Sequence, residues 1–385
     1  MKGSEKKWNS LSTREAWVHG ARKGRGLRIL PKGEGYFVHV TSRTRGQEFL
    51  FGEVEKKSFL LRMRQWSAFS GIGVLTHCLM SNHFHLLLWV PPVSKLSHPD
   101  IVSRLKMVWP EDKVDVWERL YSSQNAENKK AMDRKIQDRM GNLPDFMRVL
   151  KQSFSNWYNH REGCTGTLWE GRYRSVVVED SPLALLSVAA YIDLNPLRAG
   201  LISDPMQSPW TGYGAACGGD TASKFGLDFL IRCSRGEVPN PALLSRRNYL
   251  LSKYDPEKTK AMLRAESKSR KNPLGWEDVQ KAYRIWLYAK GRQLPDANHL
   301  QNTTTRKGIS PQKVLAEYEQ NGEVPYASVL LQKWRCFSRG VGIGSPQFLD
   351  DLFKQYRSCF GPKRVCASRK LPNGFPGLGS LRQVD

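Results

Sequence analysis

Long apolar runs are missing from this 385-residue chain, and none reaches the roughly 18–20 residues that a membrane span requires. The opening segment MKGSEKKWNS likewise lacks the apolar centre of a secretory signal. Paired cysteines are missing too. The seven cysteines (Cys78, Cys164, Cys217, Cys233, Cys336, Cys359 and Cys366) are scattered and odd in number, with no CxxC spacing. That excludes a zinc knuckle or a disulfide framework and suits a reducing cytoplasm. No internal repeat is visible. Acidic charge is scarce: 36 Asp and Glu stand against 60 Lys and Arg, for a net charge of +24. An excess of that size makes a polyanion the first partner to consider. An anionic membrane surface is the competing partner, but the charge is spread along the chain and not gathered on one amphipathic helix, so nucleic acid is preferred.

What is present is a chain long enough to bury a sizeable core and to form two or more domains. Residues 1–32 read as a basic arm or a solvated leader, with Arg14, Arg22, Lys23, Arg25 and Arg28 among glycines. GYFVHVTSRT, ending at Thr44, reads as a strand; it carries His39, which reads as an ordinary strand histidine although it could join a metal site. Glu53 to Phe69 has apolar residues at helical spacing. The stretch from Met80 to Val90, MSNHFHLLLWV, is apolar and reads as a buried strand. Successive strand side chains alternate faces, so His83 and His85 point one way and Phe84 the other. Two neutral imidazoles so placed can grip one divalent cation; the bland alternative is one satisfied core histidine and a coincidence.

Residues 93–142 turn mixed and charged and read as a helical insertion. Leu143 to His160 is an amphipathic helix with Phe146, Leu150, Phe154 and Trp157 on its apolar stripe. The run from Leu168 to Val178, LWEGRYRSVVV, interleaves aromatics with Arg172 and Arg174, suiting base stacking beside phosphate neutralisation or simply a half-buried strand. A helix follows, with Ser181 as its expected cap and Leu185, Leu186, Ala189 and Ile192 as its buried stripe. Tyr191 is expected off that stripe, with Asn195 one turn on and Pro196 as the stop. A proline- and glycine-rich stretch after Leu201 reads as a boundary. Beyond it the text is mostly helical, at Pro241–Leu251, Trp276–Tyr288, Pro311–Gln320, Tyr326–Phe337 and Pro346–Tyr356.

Three blocks carry a resemblance: SNHFHLLL from Ser81, GTLWEGRY from Gly166, and YIDLNPLRAGL from Tyr191, the last continuing to Asp204-Pro205 and Pro209-Trp210. Over about Gly35 to Tyr213 the chain resembles the REP-associated tyrosine transposases, single-tyrosine HUH enzymes of the IS200-like superfamily. The resemblance implies an α+β fold, with an antiparallel, ferredoxin- or RRM-like sheet packed with helices. That domain would span 33–215, with the insertion at about 93–142, followed by a mainly helical basic region over 220–385. It implies Tyr191 as the nucleophile, His83, His85 and Asn195 as ligands of Mg²⁺ or Mn²⁺, and Arg43, Arg172, Arg174 and Arg198 as nucleic-acid contacts. The implied partner is single-stranded DNA with a hairpin, bound by a monomer or homodimer in the cytoplasm. The chemistry asks for the same residue types: a phenol, with pKa near 10, needs a polarised phosphate to attack. Tyr158 and Tyr173 compete as nucleophiles but read as structural. Metallo-β-lactamase-like hydrolases would need Asp-His soon after the pair, where Leu86-Leu87-Leu88 stand. An amidohydrolase barrel would need more βα alternations. A non-catalytic DNA- or RNA-binding regulator of the same fold is the remaining alternative.

Overall fold

The computed structural model describes residues 28–31, 33, 35–92, 95–237, 239, 241, 244, 275–291, 309, 311–321, 337, 340–360, 364, 369–370 and 377–382. The expected arm over 1–32 and the helices expected at Pro241–Leu251 and Tyr326–Phe337 lie outside the described residues, apart from isolated positions such as Leu244 and Phe337.

The first half runs β1 (Tyr36–Arg43), α1 (Glu53–Ser70), β2 (Gly73–Leu79), β3 (His83–Val90), α2 (His98–Leu105), α3 (Glu111–Ser122), α4 (Ala126–Gln137), α5 (Leu143–Glu162) and β4 (Arg174–Val178). Setting aside α2–α4, this is βαββαβ, and the strands lie in the order β2-β3-β1-β4 with every neighbouring pair antiparallel. That order defines the ferredoxin-like α+β arrangement. The chain continues through α6 (Pro182–Asp193), the single turn α7 (Asn195–Arg198), α8 (Gly212–Cys217), α9 (Thr221–Ser234), α10 (Trp276–Gly291) and α11 (Pro311–Asn321). It closes with β5 (Gly340–Gly344), α12 (Pro346–Gln355), β6 (Arg369–Lys370) and β7 (Gly379–Arg382), and β5 extends the sheet parallel to β4. These late strands are absent from the sequence reading. GVGIG is too short and glycine-rich to announce a strand, and it is one because β4 offers an open edge.

Strand alternation divides the core in two. Val38, Val40, Phe84, Leu86 and Leu88 face α1 and α5, meeting Phe59, Met63, Phe146, Leu150 and Phe154. Phe37, Leu87, Val176 and Val178 face the other way, onto α6, α9 and α10. Each large side chain so enclosed contributes about 1.5–3 kcal/mol relative to exposure. The α2–α4 segment has its own small core of Ile101, Leu105, Val114, Ile136 and Met140 against Phe69 of α1. Arg104 pins it down by donating to the carbonyls of Ala68 at 3.0 Å and Phe69 at 2.8 Å, in the last turn of α1.

The second face is covered more closely than amphipathic spacing suggests. α6 is buried on all sides from Ala184 to Asp193, so the stripe expected from the sequence does not stop short of Tyr191. At its end the fully buried Asp193 carboxylate accepts from Thr76 Oγ1 (3.0 Å), Tyr213 N (3.2 Å) and Tyr283 Oη (2.6 Å). One carboxylate thus ties α6 to β2, α8 and α10. Ser181 holds the expected N-cap position, its carbonyl accepting from Leu185 N at 3.0 Å, but its hydroxyl makes no capping bond and donates instead to Glu179, two residues back, whose carboxylate also binds the start of α12 through Ser345. α9 lies so close to β2 that a Cβ on Gly226 would stand 2.0 Å from the Leu75 carbonyl oxygen. Among the described residues no helix is long and apolar enough to cross a membrane.

Candidate active site

In the β1–β3 register Arg43 stands opposite His83 and Thr41 opposite His85, while Thr41 also faces Arg174 on β4. His39, Thr41, Arg43, His83, His85 and Arg174 therefore share the face that α6 covers, and Phe84 lies in the opposite core, as alternation requires. The turn before β3 is stitched to the end of β1. The Asn82 carbonyl accepts from both the amide and the hydroxyl of Thr44 at 3.0 Å, and the Asn82 amide donates to the Gln47 carbonyl at 3.1 Å. This fixes where the histidine pair begins.

Three rings gather around His85, and the phenol comes from more than a hundred residues downstream. The centroids of His83 and His85 lie 5.1 Å apart, and the Tyr191 ring meets His85 edge-on at 5.9 Å. His39 is the third. Its Nε2 is 3.0 Å from His85 Nδ1, its Nδ1 is 2.5 Å from the Phe337 carbonyl oxygen, and its ring is 5.9 Å from that of Tyr191. Phe337 also stacks on Tyr191, centroids 4.8 Å apart and planes within 11°. The Arg198 guanidinium sits 4.8 Å from the centre of the same ring. Tyr191 is left only 5% exposed, His85 4% and His39 0%.

Burial controls the charge of these rings. It pushes the His39 pKa down to about 4, against the Phe337 carbonyl, which favours a proton there. It drives His85 well below the usual imidazole value, helped by repulsion between a protonated His85 and its neighbours His83, His39 (were that ring also protonated), Arg198 and Arg43. A neutral imidazole is the form that can donate a lone pair to a cation.

Of the residues singled out from sequence, His83, His85 and Tyr191 come together as described. Asn195 is half-buried one turn beyond Tyr191, its amide nitrogen donating to the carbonyls of Tyr191 (2.8 Å) and Ile192 (3.4 Å). The oxygen end of that amide is the end able to coordinate a cation. Arg43, Arg172 and Arg174 are exposed, with Arg43 and Arg174 at the His83 end of the sheet, whereas Arg198 is 8% exposed against Tyr191. Tyr158 and Tyr173 pack in the core on the opposite face of the sheet, away from the histidines. His39, read from the sequence as an ordinary strand histidine that could join a metal site, lies against His85, whereas Phe337 was not singled out. The same-face position of His39 is readable only once β1 and β3 are paired, and nothing local marks Phe337.

Does the donor set suit a divalent cation? His83 Nδ1 lies 2.7 Å from Asn82 Oδ1 and His85 Nδ1 is held by His39, so a cation would be met by the two Nε2 atoms. Holding the second ring nitrogen in this way is what metal-binding histidines require. Among the described residues no three His, Cys, Asp or Glu side chains form a metal-holding group, so such a site depends on two imidazoles and an amide. The set fits a weakly held ion with water and phosphate completing its shell.

No family model matches the chain, and no curated protein is significantly similar to it. Among solved structures, that of a REP-associated tyrosine transposase bound to a REP hairpin covers 55% of this chain and 86% of its own length, at 11% identity and a TM-score of 0.29. At that score the likeness carries no residue or activity across.

Proposed function

We propose that this protein is a single-tyrosine DNA strand transferase that cuts and rejoins single-stranded DNA at hairpin-flanked ends in the cytoplasm, as a transposase does. The observation that carries the reading is the meeting of a phenol with a histidine pair: the Tyr191 ring is 5.9 Å from His85, on the sheet face that also bears His83. The net charge of +24 and the exposed Arg43, Arg172 and Arg174 suit a phosphate backbone approaching that end of the sheet.

In the proposed step the Tyr191 phenolic oxygen attacks a backbone phosphorus, forming a 5′-phosphotyrosine link as the bond to the 3′ oxygen breaks. The phenol loses its proton and the leaving 3′ oxygen gains one. Attack by the 3′-hydroxyl of another end reverses the step and joins the two, conserving the bond. Mg²⁺ or Mn²⁺ bound by His83, His85 and Asn195 would supply the charge that polarises the phosphate and orients it in line. Arg198, its guanidinium 4.8 Å from the centre of the ring, places a positive charge beside the nucleophile.

A second reading, a nucleic-acid-binding regulator that does not cut, is favoured by the near-complete burial of Tyr191 between Phe337 and Arg198. Denaturing electrophoresis separates the two. The protein is mixed with labelled single-stranded oligonucleotides bearing hairpins, in Mg²⁺ or Mn²⁺. A covalent adduct is expected from the native chain and from Tyr158→Phe, and none from Tyr191→Phe. An adduct that survives in Tyr191→Phe removes the mechanism, and binding with no adduct under any condition leaves the regulator.

A further inference from the structure

We infer that His39, anchored by the carbonyl of Phe337, is a positioning residue that sets the tautomer of His85 and so turns the Nε2 lone pair of His85 toward the cation. The inference rests on the metal-holding role proposed for His83 and His85 and adds two residues to it, one from the first strand and one from the C-terminal part of the chain.

The argument is a chain of donors and acceptors. A carbonyl oxygen can only accept, so the His39 Nδ1 lying 2.5 Å from the Phe337 oxygen carries a hydrogen. The His39 ring is fully enclosed, which keeps it neutral with a single N–H. That hydrogen is already on Nδ1, so Nε2 bears a lone pair. It faces His85 Nδ1 at 3.0 Å, and two lone pairs at that distance would repel. His85 therefore carries its own hydrogen on Nδ1 and donates it to His39. The ring planes agree with such a bond: they lie within 18° of each other, with centroids 5.2 Å apart, as two rings meeting edge to edge across that contact must. The lone pair of His85 is thereby assigned to Nε2. A free imidazole side chain prefers the opposite form, with hydrogen on Nε2, which cannot bind a cation there. His39 reverses that preference. The orientation is imposed from outside the HxH motif, by a partner 46 residues away, itself held from 298 residues away.

The test uses full-length, metal-free protein labelled with ¹⁵N-histidine, with long-range ¹H–¹⁵N correlations reporting each tautomer; the His85 signals are those lost in His85→Gln. In the native chain His85 is expected with hydrogen on Nδ1. In His39→Leu it is expected to revert to the Nε2–H form. Mn²⁺ affinity, read from the spin-resonance signal of the free ion, should then weaken about 10–100-fold, the usual cost of losing such an outer partner. His39→Gln, whose side-chain oxygen can accept from the same Nδ1–H, should keep both the tautomer and the affinity. A native His85 bearing hydrogen on Nε2 overturns the inference without any variant, and so does a His39→Leu protein with unchanged tautomer and affinity. Failure of the native chain to bind Mn²⁺ would overturn the metal-holding reading instead, while the spectrum still decides whether His39 governs His85.

Discussion

Asp193 stands two residues after Tyr191 at the point where α6 meets β2, α8 and α10, and replacing it with asparagine separates the worth of its hydrogen bonds from the cost of its charge. Burial raises its pKa from 3.8 to about 6, while the donors Tyr283, Tyr213 N and Thr76 pull it back. A carboxyl with a raised folded value binds more protons folded than unfolded, so its contribution is fully present below pH 3.8 and is lost as pH rises through 6. At about 1.4 kcal/mol per unit, the shift costs the native chain about 3 kcal/mol by neutral pH, of which about 2 kcal/mol falls between pH 4.5 and 7.5. An asparagine amide does not titrate. Its oxygen can keep the bonds from Thr76 and Tyr213, and the Tyr283 hydroxyl can turn to accept from its nitrogen. Urea unfolding at both pH values should therefore show Asp193→Asn gaining about 2 kcal/mol on the native chain between the lower and the higher pH. Asp193→Ala, which strands the donors, should be destabilised at every pH by about 1–3 kcal/mol for each lost partner. Parallel curves for the native chain and Asp193→Asn would refute the account, because the carboxylate would then cost nothing to bury.

Titration of His77 acts in the opposite direction. Its folded pKa is lowered to about 4, chiefly by burial and then by Arg64, against an unfolded 6.5, so the native chain should lose about 3 kcal/mol from this ring as pH falls from 6.5 to 4. His77→Leu should accordingly gain on the native chain in thermal melts as the buffer is made more acidic, and a constant gap would count against it. For Gly226→Ala, whose Cβ would stand 2.0 Å from the Leu75 carbonyl oxygen, backbone has to yield, and a fall of about 1–3 kcal/mol or more in urea unfolding is expected. A neutral result there would mean that α9 is not held against β2.

Elements whose pattern is local were legible in the text. The alternation in HFHLLLWV places His83 and His85 on one face, and the stripe of Leu143 to His160 becomes α5 against the sheet. Tyr191 was harder. Helical spacing treats a helix as having a wet side, and α6 has none, because α9, α10 and Phe337 come from far along the chain to cover it. The same distance hides the partners of His39, which are brought to it only by strand pairing and by residue 337. The Ser181 hydroxyl was assigned to its own helix, whereas the structure gives it to Glu179. Local propensity could not anticipate that tertiary partner.

The parallel pairing of β4 with β5 has a bearing on how the chain comes to be made. β1 to β4 can zip together as soon as they have all left the ribosome, yet the outer side of β4 acquires its neighbour only when residues 340–344 arrive. Through that interval a row of backbone amides and carbonyls stands unmatched, the kind of rim onto which other nascent chains add. A version of this protein shortened to the first half would keep that rim permanently. Its yield in soluble form then becomes a question of what else is allowed to sit beside Val177 and Val178.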